Sequence, residues 1–117
     1  MNKIKVIIKR PDEKWGHISW ISDSLENLQK TVEGNIETVT LPNGVVIICN
    51  KEGHIKGLPK NFHIITHHYI NPTDYVEVPM PIKGTVIVCG TKGEDFADIP
   101  ISTRTWKHIL FEKWGNK

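Results

Sequence analysis

Between Lys3 and Lys9, charged residues alternate with Ile4, Val6 and Ile8. A period of two carried by β-branched residues reads as a strand. Arg10-Pro11-Asp12-Glu13 turns the chain, and Trp15 to Ile21 returns as a second strand. The period changes at Ser22. From there to Val32, the residues Leu25, Leu28 and Val32 share one helical face. Asp23 is placed to cap this helix, with Glu26 three residues on, as a capping box requires. Gly34 is its stop. Ile36 to Leu41 and Val45 to Cys49 flank Asn43-Gly44, a pair that accepts positive φ and signals a hairpin.

Lys51-Glu52-Gly53 makes a further turn, followed by a short stretch at His54-Ile55 and a loop at Leu58-Pro59-Lys60-Asn61. Phe62 to Tyr69 is β-prone, with histidines inserted. Asn71-Pro72 and Pro79-Met80-Pro81 break the chain and mark an irregular crossing. Thr85 to Cys89 is apolar on both faces, as a central strand is. Thr91-Lys92-Gly93 turns it. Ser102 then caps a closing helix whose inward face carries Trp106, Ile109, Leu110 and Trp114. Gly44, Cys49, Gly53 and Pro59 are echoed by Gly84, Cys89, Gly93 and Pro100, which reads either as a duplicated strand-turn unit or as two buried strands that end in similar turns. The pattern predicts an α+β fold: a small mixed or mainly antiparallel sheet with about two helices packed on it.

A chain of 117 residues suits a single domain spanning 1–117, large enough to bury roughly two-thirds of its unfolded surface. Its net charge of +2 comes from lysines scattered among acids. This argues against stable DNA binding, which gathers Lys and Arg on one face, and against a strongly acidic DNA mimic. No apolar run reaches the ~20 residues that span a bilayer, and the N-terminal segment lacks a signal-peptide core. A cytoplasmic location follows as an expectation. Cys49 and Cys89 each end an apolar run and read as buried free thiols.

Six histidines raise the question of a metal. His63, His67 and His68 form the densest group, but no Cys-x-x-Cys or His-Glu-x-x-His accompanies them. No metal and no cofactor are expected. Glu94, Asp95 and Asp98 read as a solvated turn before the last helix. No phosphate loop and no Gly-x-Ser-x-Gly is present. The segment Cys49 to Asn61 is richer. Asn50 and Asn61 are suited to brace loops through side-chain hydrogen bonds. Alternatively, Asn50, Lys51, Lys56, Lys60 and Asn61 line a site for an anion or a partner surface, with His67, His68 and Tyr69 as further ligand contacts.

Cys49-Asn50-x-Glu52-Gly53 followed by Leu58-Pro59-x-Asn61 resembles a domain-of-unknown-function family common in phages, plasmids and mobile elements of Gram-positive bacteria. Leu25-x-x-Leu28-Gln29, Ile36-Glu37, Gly84-Thr85-Val86-Ile87-Val88-x-Gly90 and Gly93-Glu94-Asp95-Phe96 extend the resemblance along nearly the whole chain. It implies an accessory protein of a bacterial host cytoplasm and supplies no catalytic residues. Trp15, Trp20, His67, His68 and Tyr69 depart from the family pattern, as positions where one member acquires its own target. The expected function is non-enzymatic binding of a small anionic or nucleotide-like ligand, as a sponge against bacterial immune signalling. The alternatives are a protein-protein antagonist of a host defence enzyme, and a small hydrolase using a His with Glu94, Asp95 and Asp98. Exposed strand edges favour a homodimer.

Overall fold

A computed structural model describes residues 3–117. In chain order the elements are β1 (Lys3–Lys9), β2 (His17–Ser22), α1 (Leu25–Val32), β3 (Ile36–Thr40), β4 (Val46–Asn50), β5 (Lys60–Tyr69), β6 (Tyr75–Lys83), β7 (Val86–Lys92), β8 (Asp95–Ala97) and α2 (Thr103–Lys107). A π-helical turn, His108–Lys113, continues α2. The main sheet runs β2-β1-β7-β4-β3, with β8 also paired to β7. Every pairing is antiparallel. The fold is thus the expected α+β class, but its six-stranded sheet is larger than the small one expected.

The sheet is covered on both faces. Ile4, Val6 and Ile8 of β1 meet Leu28 and Val32 of α1, together with Val46, Ile48 and Ile87. On the other face Ile7, Ile47 and Val88 pack against Phe62, Ile64 and Ile82 of β5–β6 and against Trp106, Leu110 and Trp114. That two-sided burial explains why β4 and the first five residues of β7 are buried throughout, as a central strand requires. Phe62 anchors the aromatic part of this core. It stacks on Trp114 at 6.0 Å and meets Trp106 edge-on at 5.8 Å. The tryptophans of the closing helix are core, as their spacing implied.

Several local expectations are corrected. Ser24, not Asp23, caps α1: its hydroxyl accepts from the Asn27 backbone N–H at 3.2 Å. Pro79-Met80-Pro81 is no irregular crossing but part of β6, opposite His63 to Ile65. The Ile70 N–H donates to Asp74 O, which makes even-numbered positions the hydrogen-bonded pairs of this hairpin. Pro79 and Pro81 therefore direct their nitrogens away from β5, where no ladder bond is lost. Glu94 lies in an exposed turn, as expected, but Asp95, although also exposed, stands in a strand. It opens β8, whose partners Gly90 to Lys92 lie beyond the reach of β1 on β7. His54-Ile55 lies in a turn that Gly57 ends at φ +68°. Lys60 and Asn61 are in β5 rather than a loop. The closing helix is α-helical for only five residues, after which the Trp114 N–H reaches back to Ile109 O.

Candidate functional site

Of the lysines of β1, Lys9 alone is buried. Side chains alternate along a strand, so Lys9 shares its side with Ile7, the side covered by β5–β6 and the closing helix. Lys9 is only 3% exposed. Its Nζ donates to Asn61 Oδ1 and stands 5.6 Å from the centre of the Phe62 ring. Burial pulls its pKa below the usual lysine value, against the opposing pull of the Glu13 and Asp12 charges.

Asn61 is aimed there by a β-bulge. The β5–β6 register shifts between Lys60 and Phe62, which turns the Asn61 side chain out of the ladder. Its Nδ2 donates to Lys9 O at 2.7 Å and Gly84 O at 2.8 Å. The amide therefore ties β1, β5 and the β6–β7 turn together while holding the lysine ammonium.

A cleft of about 320 Å³ opens over this pair. The β1–β2 loop supplies Glu13 and Lys14, β5 supplies Lys60, and the C-terminal segment supplies Phe111 and Lys117. Four lysines thus face one carboxylate. Glu13 is engaged on both oxygens: Oε1 accepts from the Arg10 backbone N–H at 3.0 Å, and Oε2 pairs with His17 Nδ1 at 2.8 Å. Burial alone would raise its pKa. The His17 hydrogen bond, the Arg10 N–H and the two neighbouring charges outweigh that and hold it below the usual carboxylate value. Lys14 Nζ lies 5.8 Å from the Phe111 ring centre and 5.0 Å from that of Trp15.

Two fixtures set the walls. Trp106 Nε1 donates to Trp15 O at 2.9 Å, pinning the β1–β2 loop to the closing helix. Gly16 lets that loop return close to β1: it has φ +84°, and a Cβ there would lie 2.7 Å from Ile8 O. At the far end, Asn116 mimics a strand residue. Its Oδ1 accepts from the His63 N–H at 3.0 Å, and its Nδ2 donates to His63 O at 2.8 Å.

The residues expected to form one site are dispersed. Lys60 and Asn61 are in the cleft. Asn50 is a brace: 5% exposed, it donates to Val32 O at 3.0 Å and accepts from the Glu52 N–H at 2.8 Å. Lys51 lies beside Cys49 and Met80 in a separate hollow of about 140 Å³. Lys56 rests over Gly34, where a Cβ would lie 2.8 Å from its Nζ. His67 borders a third, mainly apolar groove of about 440 Å³ with Ile64, Leu41 and Trp114. Tyr69 shares its face of the β5–β6 arm with His67 and Tyr75, and His68 lies on the opposite face. Asn50 braces its loop as expected, whereas Asn61 braces backbone from within β5. Lys9, Glu13, Lys14, Phe111 and Lys117 were not singled out from the sequence. One signal was available: Ile7 breaks the charge alternation of β1 and marks its second face as covered at Lys9.

Both cysteines are free and buried. Burial pushes Cys49 up to about 11, helped by the charge of Glu37, and Cys89 up to about 12. Such thiols are poor nucleophiles at neutral pH. Among the described residues, no group of three or more His, Cys, Asp or Glu side chains is placed to hold a metal ion. No described helix is long and apolar enough to cross a membrane.

Fold and site together define an antiparallel α+β domain with a lysine-lined cleft beside its central sheet. Residues 4–109 match the family described as domain of unknown function DUF3846, and the chain belongs to that family. No curated protein and no solved structure matches the chain.

Proposed function

We propose that this protein is a non-enzymatic binding protein that captures a small phosphate-bearing anion in the Lys9 cleft. The observation that carries the reading is Lys9 itself. A lysine ammonium out of water costs several kcal/mol unless compensated. Asn61 Oδ1 takes only one of its three N–H donors, and Lys14, Lys60 and Lys117 gather more positive charge around it. An anion in the cleft would complete the donors and offset the charge. Lysine suits phosphate as a flexible point charge with three donors. In the phage or mobile-element setting suggested by the sequence resemblance, stoichiometric capture would act as a sponge for a phosphorylated signal. Calorimetry with inorganic pyrophosphate is the test. Binding should weaken by about tenfold in Lys60→Gln, the worth of one charge-assisted contact. No binding at millimolar pyrophosphate would rule the reading out.

A second reading is favoured by the arm formed by the outer halves of β5 and β6. Tyr69 and Ile70 are 66% and 70% exposed, and Tyr75 and Val76 stand beside them. Exposed tyrosines are common anchors of protein interfaces, which suits an antagonist of a host protein. Purification from a host lysate with the native protein and a Tyr69→Ser/Tyr75→Ser variant tests it. A partner held equally by both would place its binding surface elsewhere.

A further inference from the structure

The cleft is built for more than a bare anion. A volume of about 320 Å³ holds on the order of ten waters at about 30 Å³ each, far more than inorganic phosphate fills. It also contains two groups that a simple anion site has no use for. One is the Glu13 carboxylate, which repels phosphate. The other is the Phe111 ring, which offers phosphate nothing.

Each has capacity to spare. A carboxylate has about four acceptor positions. Glu13 Oε1 takes the Arg10 N–H, with the Arg10 guanidinium 3.5 Å away, and Oε2 takes His17. A lone pair on each oxygen is left for a hydroxyl donor. Phe111 is half-buried and lines the cleft, with Trp15 edge-on to it at 5.7 Å and Lys14 near its ring. Lys14 is the movable cover of that ring, because a lysine stem has four rotatable bonds.

We infer that the cleft takes a nucleoside phosphate: phosphates on Lys9, Lys60 and Lys117, ribose hydroxyls on Glu13, and the base against Phe111. This rests on the anion-binding reading above and names the class of its ligand. A carboxylate accepting from a ribose diol is a recurrent way to recognise a nucleoside. An aromatic platform tolerates any base, because every base has a π-face. Glu13 and Phe111 are thus the residues that separate a nucleotide from a plain phosphate.

The experiment titrates ADP, inorganic pyrophosphate and adenosine into the native protein and into Glu13→Gln and Phe111→Leu. Leucine keeps most of the apolar bulk of residue 111 while removing the ring, and circular dichroism confirms each variant's fold. ADP should bind about tenfold or more tighter than pyrophosphate, from base stacking and the ribose contacts. Each substitution should cut the preference for ADP over pyrophosphate by about tenfold and leave pyrophosphate unweakened, with Glu13→Gln improving it. Equal affinity for ADP and pyrophosphate would overturn the nucleoside assignment and leave anion capture standing. So would equal losses for both ligands in the variants. Adenosine binding as tightly as ADP would overturn the placement of the phosphates on the lysines. Failure of both phosphate ligands to bind would overturn the anion reading together with this one.

Discussion

Replacing Asn61 with alanine removes three hydrogen bonds at once. Two are neutral, from Nδ2 to Lys9 O at 2.7 Å and to Gly84 O at 2.8 Å, and each contributes about 1 kcal/mol. The third holds the Lys9 ammonium. Losing the acceptor of a buried charged group costs a further 1.5–3 kcal/mol or about that. The expected destabilisation is about 3–5 kcal/mol, a large part of the roughly 5–15 kcal/mol typical of a whole domain. Lys9→Met should cost about 1 kcal/mol or less: it leaves Asn61 Oδ1 unpaired but also ends the desolvation of an ammonium. The double variant then loses only the two neutral bonds. It should be no less stable than Asn61→Ala alone, a coupling of about 2 kcal/mol. Urea unfolding followed by tryptophan fluorescence measures all four proteins. The pH dependence is a second check. Burial lowers the Lys9 pKa in the native state, so the unfolded chain keeps this proton to higher pH than the native one. The burial penalty is in full force at neutral pH and is relieved as pH rises through the native value towards 10.5. The cost of Asn61→Ala should therefore shrink at alkaline pH. A cost under about 1 kcal/mol, or strictly additive single variants, would refute the reasoning that Asn61 holds a buried charge.

Asn50→Ala should destabilise the protein by about 2–3 kcal/mol, through its two lost bonds and the orphaned Val32 carbonyl, while pyrophosphate affinity in the remaining folded protein is unchanged. Gly90→Ala should cost about 1–3 kcal/mol in the same unfolding assay, because the new Cβ would lie 2.6 Å from Asp98 O and 3.0 Å from Pro100 Cδ. Trp106→Phe keeps an aromatic core but drops the bond to Trp15 O. It should lose about 2–3 kcal/mol of stability, from the lost bond and the space the smaller ring leaves in the core, and weaken pyrophosphate binding by freeing the β1–β2 loop. Cys49 and Cys89, with pKa values pushed up to about 11 and about 12, should resist a thiol-specific disulfide reagent at pH 8 until urea unfolds the chain. Rapid native-state labelling of either would contradict their burial.

The alternation of β1, the Asn43-Gly44 turn, the double-sided apolar run of β7 and the helical spacing of Trp106, Ile109, Leu110 and Trp114 were all legible in the chain. Each depends on local backbone geometry: a repeat period in the strands and the helix, and a positive φ at Gly44 in the turn. Asn50 was also legible as a loop brace, because a short amide side chain reaches the backbone two residues on; Asn61 braces backbone too, but from a strand and to groups 52 and 23 residues away in the chain. What the order of residues did not disclose was which strands would be neighbours and which faces would be covered. Pro79 and Pro81 looked like breaks, since proline removes a donor. Only the pairing with β5 decided that their missing N–H groups fall on the side without a ladder. Asp95 is the solvated acid it looked like, but only the length of β7 beyond β1 decided that it stands in a strand. Lys9 looked like one more surface lysine of an alternating strand. The tertiary structure decided otherwise: the β5–β6 arm and the closing helix cover that face of the sheet, and the bulge at Asn61 supplies a partner for the buried charge. A lysine's own neighbours in sequence fix which side of the strand it takes. Whether that side is water or protein depends on segments 50 to 100 residues away in the chain, and so does the cleft.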